Sequence, residues 1–395
     1  MTYLSLQNIS LKFGKVTALD NISFNVEKGT YLVVSGPSGA GKTSLLKVIA
    51  GLYTANKGSI LLNSRDLTRL KPEERSIAYM PQHYALFNKM DVWGNVSYGP
   101  KLQLKSKEEI ENICNTILTM VHLDKRKDAF PYELSGGMKQ RTALARSLAT
   151  NFPILLLDEP LRALDARLRI ELRTELKRIV KNLGFTVLHV THDQNEAMAI
   201  ADRILILNEG KIIQIGTQAE IYYNPSAVFI SAFMDEINHF EGTIIKKELL
   251  NEFINSNGFD LENKEKNYYS YLIQTANDIQ ISCYSRKDFE IKDAVDIIIK
   301  SECIKVKIQN GNNQVKINEN RVKTIKISIK GILESKYFLG NWSKLKIKSE
   351  TYSWIIKLPS VRAERYEIGE TLDLSYKPYN VIILPEKGEY HKLRS

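Results

Sequence analysis

The chain has 395 residues, 43% of them apolar, and a formal net charge of +10. That length suits two or three domains with sizeable cores, and no run approaches the ~20 apolar residues that cross a bilayer as a helix. Three scattered cysteines, Cys114, Cys283 and Cys303, argue against a disulfide framework and against a zinc site. The basic excess is spread thinly over both parts of the chain, as on a solvated surface that also suits an anionic membrane, whereas a nucleic-acid binder concentrates it on one element. The first residues, TYLSLQNISLKF, alternate like a strand and carry no signal pattern, so the expectation is a protein kept in the cytoplasm that reaches a membrane only through partners.

Residues 2–28 alternate as antiparallel strands, with Leu4, Leu6, Ile9, Leu19, Ile22, Phe24 and Val26 on the apolar face. Phe13 falls in the loop between them. An aromatic there can stack on an adenine ring or simply pack into a core. The stretch 31–43, YLVVSGPSGAGKT, is a short buried strand, a glycine-rich turn and the start of a helix. Gly36, Gly39 and Gly41 allow the tight turn. With Ser38 and Ala40 they point backbone N–H groups inward as an anion nest, while Pro37, which has no N–H, belongs to the same ATP-binding loop. Lys42 can reach the β- and γ-phosphates, the Thr43 hydroxyl can ligate Mg²⁺, and the helix adds its positive end.

A second strand pair is expected around 58–62 and a short buried strand over 77–80. Gln82 follows at that strand's end, the ligand edge of an α/β sheet, where its amide can ligate Mg²⁺ or orient water. Residues 106–122 read as a helix with a Ser106/Glu109 capping box. LSGGMKQR, 134–141, opens another. Ser135 is its N-cap, and Gly136 and Gly137 leave amides uncovered in its first turn, an anion site. ILLLDEP, 154–160, is an apolar strand ending in two carboxylates. Asp158 suits Mg²⁺ through water, and Glu159 suits a general base for the attacking water. Asp165 precedes a long helix ended by Gly184. A third buried strand covers 186–191, with His192 just beyond it. His189 and His192 at i, i+3 across a strand end do not converge as a metal pair. His192 reads better as a hydrogen-bond donor to a γ-phosphate. RILILNEGKIIQIG, 203–216, is a hairpin turning at Glu209 and Gly210.

These residues carry a resemblance to the ATP-binding subunits of ABC transporters over roughly 2–235. Gly36–Thr43 stand as the Walker A loop, 154–159 as the Walker B strand and 134–140 as the LSGGQ-type signature. Gln82 stands as the Q-loop, His192 as the H-loop and Phe13 as the adenine-stacking A-loop. One departure is visible: the D-loop, commonly S-A-L-D, reads Arg162-Ala163-Leu164-Asp165. The resemblance implies an α/β P-loop NTPase core with an antiparallel β subdomain and a helical subdomain, binding ATP and Mg²⁺. It implies two cassettes head to tail, a homodimer or a heterodimer with a second cassette. Each ATP is then capped in trans by the other's Ser135, Gly136, Gly137, Gln140 and Asp165, with Glu159, His192 and Gln82 catalytic. It also implies two transmembrane permease subunits docking near 85–98, an extracytoplasmic solute-binding protein, no nucleic acid, and a place on the cytoplasmic face of the cell membrane.

Residues 236–395 shift toward Lys, Asn and Ile and hold many short alternating runs, among them 278–284, 295–300, 323–329, 344–348, 353–358, 371–375 and 381–384. They imply a small all-β barrel that is similar to the TOBE-type OB-fold tail of importer ATPases. Where such importers often show R-P-E, this chain has Lys300-Ser301-Glu302. Trp342, Trp354 and Tyr352 suit packing better than base stacking. FMDEINHF, 233–240, is similar to polyamine importers; sulfate, phosphonate, ferric-iron and sugar importers share comparable segments. A soluble ABC ATPase acting on nucleic acid or ribosomes is the competing class, and a ligand-sensing barrel is compatible with either.

Overall fold

The computed structural model describes residues 2–250, 268–308 and 329–386, in two compact units, Met1–Ile221 and Tyr222–Ser395. In the first unit the elements are β1 (Thr2–Phe13), β2 (Val16–Glu27), β3 (Tyr31–Ser35), α1 (Lys42–Ala50), β4 (Lys57–Leu62), β5 (Arg65–Asp66) and β6 (Ile77–Met80). They continue with α2 (Val92–Leu102), α3 (Lys107–Met120), α4 (Gly136–Ala149), β7 (Ile154–Asp158), α5 (Ala166–Leu183) and β8 (Thr186–Val190). α6 (Gln194–Ile200), β9 (Arg203–Asn208) and β10 (Lys211–Gly216) follow, and α7 (Gln218–Tyr223) runs across the division.

A six-stranded sheet, ordered β10-β9-β3-β8-β7-β6, forms the centre of this unit. Every side chain of β3, β7 and β8 is buried. Such strands lie covered on both faces, which is why they read as unbroken apolar runs. Their neighbours are parallel, and only β10 turns back antiparallel on β9. A four-stranded antiparallel sheet, β2-β1-β4-β5, supplies a second layer. Leu45, Leu46, Val48 and Ile49 of α1 pack between Leu4, Leu6, Ile9 and Ile22 of that sheet and Leu32, Leu156, Leu188 and Leu205 of the central one. The helix that begins at the phosphate loop is therefore clamped by both sheets. Phe13 is the last strand residue of β1, paired with Val16, not a loop residue as expected.

The second unit contains α8 (Val228–Met234), β11 (Ile237–Leu250), β12 (Tyr268–Thr275), β13 (Gln280–Ser285), β14 (Ala294–Lys300), β15 (Lys305–Ile308), β16 (Ile329–Leu339), β17 (Trp342–Lys348) and β18 (Ser353–Pro359). α9 (Ser360–Ala363), β19 (Thr371–Ser375) and β20 (Val381–Pro385) complete it. Two five-stranded antiparallel sheets, β13-β12-β11-β14-β20 and β15-β19-β16-β17-β18, share one core around Phe240, Ile297, Leu333, Ile347 and fully buried Trp354. This is the expected all-β, OB-fold-like class. Of the strand expected over 323–329, residues 323–328 lie outside the described residues.

The division falls before the boundary expected at 235. Residues 222–235 group with the β unit because Val228 packs on Ile237, Ile298 and Leu384, and the Tyr222 hydroxyl donates to Glu302 at 2.7 Å. Burial there lowers the Lys300 ammonium to about 8, with nearby Cys303, Glu302 and Asp235 pulling the other way.

Candidate functional site

The loop leaving β3 is pressed against its neighbours. Gly36 (φ +152°) and Gly41 (φ +101°) have left-handed backbone, and a β-carbon on Gly36 would lie 2.0 Å from the Leu207 carbonyl oxygen. Lys42 folds back over the loop, donating to the carbonyl oxygens of Gly36 at 2.8 Å and Pro37 at 2.7 Å. Burial lowers its pKa, and the carboxylates of Glu159 and Asp158 oppose that.

Thr43 opens α1 and donates through Oγ1 to Asp158 Oδ1 at 3.1 Å. Asp158 ends β7 almost fully buried, and its Oδ2 accepts from the Tyr79 hydroxyl at 3.4 Å. Burial and, less strongly, neighbouring Glu159 raise its carboxyl, while the bonds from Thr43 and Tyr79 pull it down; the net shift is upward.

Glu159 takes a left-handed backbone (φ +51°), which breaks the strand and swings its side chain aside. The turn is fixed from two directions. Its N–H donates to the Val190 carbonyl at 2.9 Å, and its own carbonyl accepts from Gln140 Nε2 at 2.8 Å. Gln140 Oε1 in turn accepts from the Ala163 N–H at 2.8 Å. At the carboxylate, Gln82 Nε2 and Arg162 Nη1 donate to Oε2 at 3.1 and 2.7 Å, and His192 Nδ1 lies 3.2 Å from Oε1. Burial pushes this carboxyl up, but the bonds and charges of Arg162 and His192 outweigh it and leave it below its ordinary value.

Supporting side chains hold the loops. Arg146 of α4 donates to the carbonyls of Tyr84 and Ala85, at 3.0 and 2.8 Å, fixing the left-handed pair that follows Gln82. Thr191 Oγ1 donates to buried Glu196 at 2.7 Å and accepts from the Asp193 N–H at 3.1 Å, which sets the turn carrying His192.

The folded chain thus gathers Lys42, Thr43, Gln82, Asp158, Glu159 and His192 at the C-terminal edge of the parallel strands, where α/β sheets bind ligands. Phe13 is half exposed, with its ring edge-on to Tyr53 at 5.2 Å. Ser135 is exposed and caps α4 by accepting from the Met138 N–H at 3.3 Å; exposed Asp165 caps α5 by accepting from the Leu168 N–H at 2.9 Å. Gln140, expected among the trans-acting residues, is buried and bonded inside its own cassette, because the Glu159 turn needs both ends of its amide. Sequence reasoning missed Tyr53 and Tyr79, single tyrosines without a motif. It marked Arg162 as a departure but not its partner, although i, i+3 spacing from Glu159 was the available signal.

A P-loop strand–turn–helix, a strand ending in paired carboxylates and a glycine-opened helix on one sheet edge define an ATP-binding cassette. Residues 19–162 match the ABC transporter family. The chain is 34% identical to the spermidine/putrescine import ATP-binding protein PotA of Borrelia garinii, over 93% of each chain. It is 32% identical to PotA of Thermotoga maritima over 93% of this chain and 92% of that one. It is 45% identical to the sulfate/thiosulfate import ATP-binding protein CysA of Neisseria meningitidis, over 62% of this chain and 69% of that one. Among solved structures, the dimeric post-hydrolysis state of the ATP-binding cassette MJ0796 bound to ADP and Pi superposes with a TM-score of 0.50. It is 31% identical and covers 54% of this chain and 98% of that one. The chain belongs to the ABC transporter ATP-binding proteins, and it binds and hydrolyses ATP.

Proposed function

We propose that this chain is the ATP-hydrolysing subunit of a polyamine importer. One observation carries the cargo class: the likeness to the PotA proteins runs over 93% of the chain, β unit included, whereas the likeness to CysA covers 62%. Higher identity within the cassette says little about cargo, because the cassette has no reason to touch it. Sulfate import is the second reading, favoured by that 45% identity alone.

The donor set supports Mg²⁺. Thr43, Asp158 and Gln82 offer hard oxygens, and among the described residues no three His, Cys, Asp or Glu side chains converge as a metal cage. That suits an ion held partly by nucleotide phosphates. Mg²⁺ bound there would neutralise charge on the phosphates. The loop N–H groups of 36 and 38–41 and Lys42 cradle the β- and γ-phosphates, so Lys42 exchanges its two loop carbonyls for phosphate oxygens. Phe13 stacks on the adenine. Glu159 accepts a proton from the attacking water, and His192 and Gln82 position that water and the γ-phosphate.

Two cassettes close head to tail on ATP, each capping the other's nucleotide with the exposed Ser135–Gly136–Gly137 turn and contacting it near Asp165. The dimeric state of the MJ0796 cassette supports pairing of two cassettes. Among the described residues no helix is long and apolar enough to cross a membrane. In this reading coupling runs through two permease subunits at the cytoplasmic face, seated near 85–98, with an extracytoplasmic binding protein delivering cargo. The test is ATP turnover by the subunit reconstituted with its permease in liposomes, with binding protein loaded in turn with spermidine, putrescine or sulfate. Stimulation by a polyamine supports the proposal, and stimulation by sulfate alone replaces it with the second reading. Turnover indifferent to permease and every cargo points to a soluble ATPase.

A further inference from the structure

Three donors converge on one carboxylate. Arg162 and Gln82 share Oε2 of Glu159, and His192 faces Oε1. They use three of the about four positions at which a carboxylate accepts. A general base needs such a position for the water it activates. Arg162 makes the shortest of the three contacts, 2.7 Å, and is the only permanently charged donor among them. Its side chain is 56% exposed, in contrast to 14% for Glu159. It stands on the exposed turn that also carries Ala163 and Asp165. His192 is as exposed, at 55%, but Arg162 alone of the three donors stands on that turn, so it is the one that something packing there draws off. Nothing else in the turn needs the guanidinium: the Ala163 N–H is satisfied by Gln140, and Asp165 caps α5.

We propose that Arg162 is a positioning residue for hydrolysis, tying Glu159 Oε2 in the open cassette and releasing it when a second cassette packs against the 162–165 turn. This rests on the dimeric ATPase reading above. Release frees an acceptor position on Oε2. Water then donates to it, its oxygen bonds to the γ-phosphorus, its proton passes to Glu159, and the bond to the β–γ bridging oxygen breaks with ADP as leaving group. The ion pair adds a cost to every closure and keeps idle turnover low.

The experiment compares full-length wild type with Arg162→Ser, Arg162→Lys and the Glu159→Gln/Arg162→Ser pair, first without permease and then reconstituted with it. Arg162→Ser should raise unstimulated kcat about two- to fivefold, the range an exposed ion pair carries, with KM for ATP unchanged. The ratio of permease-stimulated to unstimulated turnover should fall correspondingly. Arg162→Lys, which keeps the charge but offers a point donor, should fall between the two. In the Glu159→Gln background Arg162→Ser should give no gain, because the effect acts through that carboxylate. Unchanged or lower kcat in Arg162→Ser, or a gain that survives Glu159→Gln, overturns the proposal. Failure of the ATPase reading looks different: wild type itself would then turn over no ATP, or turnover would survive Lys42→Ala.

Discussion

Gly36 and Gly39 sit three residues apart, and both have positive φ, +152° and +79°. A side chain at Gly39 would meet nothing within 4 Å, whereas one at Gly36 would drive into the Leu207 carbonyl. Gly39→Ala should therefore cost about 1 kcal/mol, the left-handed penalty alone. Gly36→Ala should cost at least about 2 kcal/mol, since the clash must be relieved by moving β9. Urea unfolding of the full chain checks this, and equal midpoints for the two variants would contradict it. Gln140 offers a second case. Gln140→Leu strips the Glu159 carbonyl and the Ala163 N–H of their partner, which should cost roughly 1–3 kcal/mol. Turnover should fall with KM for ATP nearly unchanged, because the carboxylate turn loosens while the phosphate loop does not. At this scale the motif residues were legible in the sequence because phosphate chemistry restricts residue type and spacing together. Tyr79 and the inward role of Gln140 were not, since a hydrogen bond between distant loops leaves no spacing in the chain; Arg162 stands i, i+3 from Glu159, a spacing that by itself assigns no partner.

β8 and α6 form one device beneath His192. The Tyr31 hydroxyl and His189 Nδ1 lie 2.9 Å apart, and His189 Nε2 is 3.4 Å from Glu196 Oε1. Glu196 Oε2 accepts from Thr191, and all four side chains are buried. Burial lowers the pKa of His189; Glu196 opposes that and Arg173 adds to it. The folded chain therefore takes up this proton at a lower pH than the unfolded chain, whose imidazole titrates near 6.5. The resulting stability is present above pH 6.5 and is lost as pH falls below it, by up to about 1.4 kcal/mol per pH unit. His189→Phe removes this term. Its unfolding free energy should fall less steeply than wild type between pH 6.5 and 5, and parallel slopes would refute the assignment. The apolar run and the His192 position of this element were legible because a fully buried parallel strand reads as a continuous apolar stretch. The histidine inside it reads from sequence only as half of a pair that does not converge on a metal. Its tie to Tyr31 comes from a strand distant in the chain, and its tie to Glu196 from the turn that brings α6 back against β8.

At the scale of the whole molecule, the two units own separate cores, one around α1 and the parallel strands and one around Trp354. The nucleotide site described above is built entirely from the first. A ligand stabilises only the part that binds it, by about 2.7 kcal/mol at one hundred times its dissociation constant. ATP with Mg²⁺, added to the Glu159→Gln chain so that it is not consumed, should raise the unfolding transition of the cassette and leave that of the β unit in place. Trp354→Ala should do the reverse. It empties the centre of the second core at a cost of roughly 3–5 kcal/mol, lowering that unit's transition while the nucleotide-dependent shift of the first persists. Calorimetry of the full chain separates the two cases, with Lys42→Ala as the control that abolishes the ATP shift. A single transition that ATP and Trp354→Ala move together would mean that the units unfold as one body, and that the likeness to PotA along the whole chain follows one thermodynamic unit.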